Sequence, residues 1–334
     1  MHIAVIGAGS WGTTVASLAA VHAPTVLWAR RPELAETMQA RRENPDYLPG
    51  FELPSGLSVT GDLEEALAGA EAVVMAVPSH GFRDILQQAA PHLRSGLPIL
   101  SLTKGIEQGS LKRMTEVVVE ELDAAPHRVG VLTGPNLARE VIAGQPTATV
   151  IAVADEWEAE RLQKVFMGPT FRVYTNPDVV GCEAAGALKN VMAVAAGMAH
   201  GLGYGDNSMA TLVTRGLAEL TRLGMTMGGN PMTFAGLAGM GDLVATCISP
   251  KSRNRTVGVA LGEGRSLEEI VGEMRMVAEG VKTTEAVLAL ADAAGVDIPI
   301  ATMVGAVLYE GKQPGDMVES LMGRPAKAEL HGLE

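Results

Sequence analysis

Short apolar runs alternate with amphipathic stretches through the first 180 residues. Residues 2–6, 25–29, 57–60, 71–78, 98–102, 129–132, 147–153 and 171–174 read as strands. The clearest is 71–78, apolar after its first residue, as a strand buried on both faces should be. Residues 13–20, 63–68 and 156–167 read as helices, with Asp62 as a cap before the second. Residues 45–54 read as a proline-rich loop. From Gly181 the pattern changes, and long Ala-, Leu- and Met-rich helical stretches take over. The longest covers 182–200, followed by 208–223, 267–273, a helix opened by Val277-Ala278-Glu279-Gly280-Val281 and running to 294, then 299–308 and 317–321. The tail from Arg324 is expected to be loose.

The first strand runs into Gly7-Ala8-Gly9-Ser10-Trp11-Gly12 and then a helix. G-x-G-x-x-G in that setting is a dinucleotide-binding turn. Gly7 permits the tight turn, Gly9 lets backbone approach a pyrophosphate, and Gly12 lets helix and strand pack closely. The helix N-terminus offers free N–H groups to the phosphates. The fold class follows: α/β plus α, an N-terminal Rossmann-type parallel-sheet domain over 1–180 and a C-terminal all-helical domain over 181–334. A cleft between them is the default substrate site.

The second strand ends in Trp28-Ala29-Arg30-Arg31, where an NAD-specific site carries an acid for the ribose 2′-hydroxyl. Two arginines suit a 2′-phosphate instead and favour NADPH over NADH. The loops after later strands carry His80, Lys104 and Gly134-Pro135-Asn136-Leu137-Ala138, on the edge where this fold places ligands. His80 reads as a loop or cap residue, and Lys104 as a phosphate or carbonyl ligand.

In the helical half, Lys189 is the lone charge between Glu183 and the end of an apolar helix. Burial would lower its pKa toward the range useful for proton transfer; snorkelling to water is the other reading. Asp242, among three glycines, could hold that ammonium, bind hydroxyls or cap a helix. Ser252-Arg253-Asn254 suits a small phosphorylated substrate, the guanidinium on phosphate and the amide on a hydroxyl. Arg215 and Glu219, four apart, are expected to pair across a turn. Glu279 is a cofactor ligand or a cap.

Apolar residues make up 47% of 334, enough for two cores. A formal charge of −12 argues against nucleic acid or an acidic membrane as the main partner. Cys182 and Cys247 form no disulfide framework and suit a reducing cytoplasm. No cleavable leader and no apolar run of spanning length is expected. Scattered histidines and distant cysteines predict no metal site.

Taken together, these motifs resemble the bacterial NAD(P)-dependent glycerol-3-phosphate dehydrogenase family. The matching pieces are the glycine-rich turn, Lys104-Gly105-Ile106-Glu107, residues 134–140, Leu188-Lys189-Asn190, residues 214–219 and 236–243, Ser252-Arg253-Asn254 and Glu279-Gly280. They follow the family's order over almost the whole length. The resemblance implies a soluble, commonly dimeric enzyme. Its reaction would be reversible reduction of dihydroxyacetone phosphate to sn-glycerol 3-phosphate for glycerophospholipid synthesis. It implies Lys189 as proton donor and acceptor, and substrate contacts from Lys104, Gly134, Asn136, Asp242, Ser252, Arg253 and Asn254. It implies cofactor contacts from Ser10, Trp11, Arg30, Arg31, Lys104, Ala138, Arg253 and Glu279, beside the turn glycines. Two departures from the family pattern stand out: many members have Ser-Phe at Asn136-Leu137, and some carry a cation near Met209. Two rival readings stay open on the residues alone: a dehydrogenase of another small hydroxyacid, and a non-catalytic NADPH-binding sensor or scaffold.

Overall fold

The computed structural model describes residues 1–274, 278–329 and 331–332. Val277, at the head of one expected helix, lies outside the described residues, as do Leu330, Leu333 and Glu334 of the tail. The chain divides into two compact units: Met1–Thr103 with Arg113–Val179, and Lys104–Lys112 with Val180–Glu334.

The first unit is built on strands β1 (Ile3–Ile6), β2 (Thr25–Trp28), β3 (Glu43–Asn44), β4 (Leu48–Glu52), β5 (Leu57–Thr60), β6 (Ala72–Met75), β7 (Ile99–Ser101), β8 (Val129–Thr133), β9 (Thr147–Ala152) and β10 (Phe171–Asn176). Eight of them form one sheet in the order β10-β9-β8-β7-β6-β1-β2-β5. All eight runs read as strands are in it. Alternate residues explain why the runs are apolar: Ile3 and Val5 join one buried cluster, Ala4 and Ile6 the other. Both faces of this central strand are covered, so all four of its side chains are apolar.

The sheet is parallel, as a Rossmann-type domain requires, except at one pair. β8 and β9 pair antiparallel, and β10 follows β9. The connection from β8 to β9 contains only the five-residue helix Ala138–Ile142. Such a helix spans about 7.5 Å, too short to return along a strand for a parallel crossover. The expected 45–54 loop is also different: β3 and β4 form an antiparallel hairpin. Helices α1 (Ser10–Ala19) and α2 (Pro32–Arg41) follow β1 and β2.

Unit two is helical. It contains α3 (Val179–Gly201), α4 (Asp206–Thr226), a five-residue π turn Leu237–Gly241, α5 (Asp242–Ile248), α6 (Arg253–Gly262), α7 (Glu279–Ala294) and α8 (Pro299–Tyr309). By length and composition, α3 and the span Pro231–Ile248 could cross a membrane, contrary to the expectation that no run is long enough. α3 is nonetheless the core helix of this unit, with 89% of its most apolar window buried against its neighbours. It packs on α6 through glycines. A Cβ on Gly258 would lie 2.1 Å from Val194 O, and one on Gly197 2.2 Å from Arg255 O. The two backbones therefore touch, which brings the N-terminal end of α6 beside the middle of α3.

Arg215 and Glu219 do not pair across a turn. The Glu219 carboxylate is buried and accepts from the Ile300 and Ala301 N–H groups at 2.8 and 3.2 Å, capping α8. Burial raises its pKa to about 7. Arg215 instead donates to Glu329 O at 2.8 Å. The helix terminus offered a better partner than a half-buried i,i+4 cation.

Candidate active site

Lys189 lies mid-way along α3 and is 4% exposed. A buried ammonium needs a partner, and it has two. It donates to Asp242 Oδ1 at 2.6 Å and to the Thr246 hydroxyl. Asp242 opens α5 directly after the π turn, and Gly241, not Asp242, takes the N-cap position. That leaves the carboxylate for the lysines: Lys104 Nζ donates to Asp242 Oδ2 at 2.7 Å. Of the three ionic groups only Lys104 keeps appreciable exposure, at 17% of its side chain.

One carboxylate thus faces two ammonium groups, and the cluster keeps a surplus positive charge. The Lys189 pKa is lowered to about 8, first by burial and also by the Lys104 charge, while Asp242 opposes the fall. A group at that value can both give and take a proton near neutrality. Burial pushes the nearby Cys247 thiol up to about 12, so it stays protonated.

Thr246, which the sequence reading missed, fixes the cluster. Its hydroxyl donates to Asp242 O at 2.6 Å while accepting from Lys189. Its i,i+4 spacing from Asp242, one helical turn on, was the available signal. Asn190 was missed too. Gly280 N donates to Asn254 Oδ1 at 2.9 Å, Asn254 Nδ2 to Asn190 Oδ1 at 2.9 Å, and Asn190 Nδ2 to Lys104 O at 3.0 Å. This relay joins α7, α6 and α3 to the 104–112 segment. Asn254 spends its carbonyl oxygen and one amide donor inside the protein. Ser252 is the N-cap of α6, its hydroxyl accepting from Arg255 N at 3.3 Å. Arg253 is exposed on the first turn of α6, and Glu279 opens α7 half-buried. Met209 packs against the apolar core of this unit.

The remaining expected residues lie in the first unit. Gly7 has φ +120°, and a Cβ on Gly12 would lie 2.0 Å from Gly7 O. Gly9 is different: a Cβ there meets nothing within 4 Å, so the turn leaves open space above it. α1 begins with no side-chain cap and no acid in its first turn. Trp11 stacks at a tilt on Phe171, and its Nε1 is buried without a partner. Ser10 donates to Tyr47 O at 2.6 Å. Arg30 is exposed, and Arg31 ion-pairs with Asp46. Gly134 is buried at the end of β8. Asn136 donates to Thr149 Oγ1 at 3.0 Å and leaves its Oδ1 buried and unpaired. Ala138 O accepts from Thr14 at 3.4 Å. His80 is exposed in a turn. Among the described residues no group of three or more His, Cys, Asp or Glu could hold a metal ion.

The family described as NAD-dependent glycerol-3-phosphate dehydrogenase N-terminus matches residues 2–159, and its C-terminal counterpart matches 178–319. The chain belongs to the NAD-dependent glycerol-3-phosphate dehydrogenase family. It is 52% identical over 331 residues to glycerol-3-phosphate dehydrogenase [NAD(P)+] 2 of Sphingopyxis alaskensis, covering 99% of each chain. Identity to the Geobacter metallireducens glycerol-3-phosphate dehydrogenase [NAD(P)+] is 54%, over 98% of each. The crystal structure of the Coxiella burnetii glycerol-3-phosphate dehydrogenase superposes with a TM-score of 0.91 at 38% identity, covering 97% of this chain and 99% of that one. A dinucleotide fits the first unit as the family requires: open space over Gly9, an uncapped helix start and an orphaned buried Trp11 N–H are what a bound pyrophosphate coenzyme would use.

Proposed function

We propose that this chain is an NAD(P)-dependent sn-glycerol-3-phosphate dehydrogenase. It reduces dihydroxyacetone phosphate to sn-glycerol 3-phosphate, reversibly, and supplies glycerophospholipid synthesis. The observation that carries the reading is Lys189: a buried lysine with a pKa near 8, held by one carboxylate shared with a second lysine.

A nicotinamide coenzyme held by the first unit would supply the hydride for the ketone carbon. Lys189 gives its proton to the ketone oxygen, where negative charge develops, and takes it back in the reverse direction. Asp242 and Thr246 hold the ammonium in one orientation, and the Lys104 charge stabilises the developing alkoxide. Arg253 binds the substrate phosphate, as its guanidinium chemistry suits. By the resemblance, Ser252, Asn254, Gly134 and Asn136 would also contact the substrate. Gly7, Gly9, Ser10, Trp11 and Gly12 would hold the pyrophosphate side of the coenzyme, and Arg30 and Arg31 the adenosine side, with NADPH favoured. By the resemblance, Ala138, Lys104, Arg253 and Glu279 would also contact the coenzyme. A cytoplasmic homodimer is the form the resemblance implies, and both cysteines being free suits that compartment.

Arg253→Ala tests phosphate recognition. KM for the phosphorylated ketone should rise about tenfold to a hundredfold, the loss of a hydrogen-bonded charge, with a smaller effect on kcat. An unchanged KM would overturn the phosphate contact.

A further inference from the structure

The end of β2 lacks the acid that holds a ribose in NAD-specific sites, but the fold brings one there from the hairpin. Asp46 lies on the β3–β4 turn and ion-pairs with Arg31, whose guanidinium also stands 5.9 Å from the Tyr47 ring centroid. That turn is fastened to the glycine-rich loop at two points. Asn44, fully buried, donates to Ala8 O at 2.9 Å and to Thr13 Oγ1 at 2.8 Å, and accepts from Tyr47 N at 3.1 Å. Ser10 donates to the carbonyl of Tyr47, the residue after Asp46. Asp46 is therefore anchored to the element that would bind the coenzyme's phosphates. Its side chain and that of Arg31 stay 45% and 51% exposed, open to a ligand.

We infer that Asp46 sets the choice between NADH and NADPH. Its carboxylate accepts the 2′-hydroxyl of the NADH adenosine ribose, the job an acid at the strand end does elsewhere. Toward NADPH it acts in the opposite sense: it occupies Arg31 and repels the 2′-phosphate. Arg30, exposed and making no ion pair among the described residues, is then the phosphate's main ligand. One side chain on a hairpin accounts for a chain that carries both an arginine pair and a ribose acid. The inference rests on the coenzyme reading above.

The test is a fluorescence titration of NADPH and of NADH into the full-length protein without substrate. In Asp46→Ala, NADPH should bind about three- to tenfold more tightly and NADH about three- to tenfold more weakly, the scale of one hydrogen bond or exposed ion pair. Asp46→Asn keeps an acceptor but loses the charge. It should retain the NADPH gain and show a smaller NADH loss. Equal shifts for the two coenzymes, or none in either variant, would overturn the inference while leaving the coenzyme reading intact. Wild-type protein that binds neither coenzyme would overturn that reading and the inference with it.

Discussion

Lys189→Ala should lower kcat for ketone reduction by about 10²- to 10⁴-fold, the usual worth of a positioned general acid. NADPH binding should stay near that of the wild type, because the glycine-rich turn proposed for the coenzyme's phosphates belongs to the other unit. The variant should also fold. Asp242 keeps Lys104 as a partner at 2.7 Å, so no carboxylate is left buried and unpaired. The wild-type pH profile carries the same assignment. Reduction needs the protonated lysine, so its rate should fall as pH rises through about 8, and oxidation should rise through the same range. Near-normal turnover in Lys189→Ala, measured beside its NADPH affinity, would contradict the role of this residue.

Asp242→Ala should do comparable damage by another route. It leaves two ammonium groups facing each other with the one acid gone. Asp242 is the group that holds the Lys189 pKa up against burial and against Lys104. Without it, Lys189 should lose its proton well below pH 8, and the pH limit of the reduction should move to the acid side. Turnover at neutral pH should fall by at least about 10²-fold. Breaking a buried ion pair should also lower stability by about 3–5 kcal/mol, visible as a lower Tm. The alanine variant with an unmoved pH profile would show that Asp242 does not tune Lys189. Asp242→Asn separates the effects, since it keeps the shape and a hydrogen-bond acceptor but not the charge.

The inner strands were legible because they are short runs buried on both faces, while the edge strands β5 and β10 were legible by alternation, with Ser58, Arg172 and Tyr174 exposed. The glycine-rich turn was legible because its constraints are mostly local: Gly12 is demanded by the Gly7 carbonyl five residues back, and Gly7 by its own φ of +120° as well as by Ala76 O. What escaped was long-range. The reversal of β9 depends on the length of one connection, which a strand pattern does not register. The β3–β4 hairpin was hidden by its prolines; it is held by Asn44 reaching back 36 residues to Ala8. Asp242 could be suspected as the partner of Lys189, but its second lysine lies 138 residues away in sequence. The Asn190–Asn254 link spans 64 residues, and neither asparagine carries a charge that would mark it. The i,i+4 rule misled at Glu219 because an unsatisfied helix end 81 residues on competes better for a buried carboxylate.

The most direct measurement is oxidation of NADPH with dihydroxyacetone phosphate and with unphosphorylated dihydroxyacetone, each repeated with NADH. Rapid oxidation with the phosphorylated ketone alone, yielding sn-glycerol 3-phosphate, is the predicted result. Folded protein that binds NADPH yet oxidises it with neither ketone would contradict the proposed reaction.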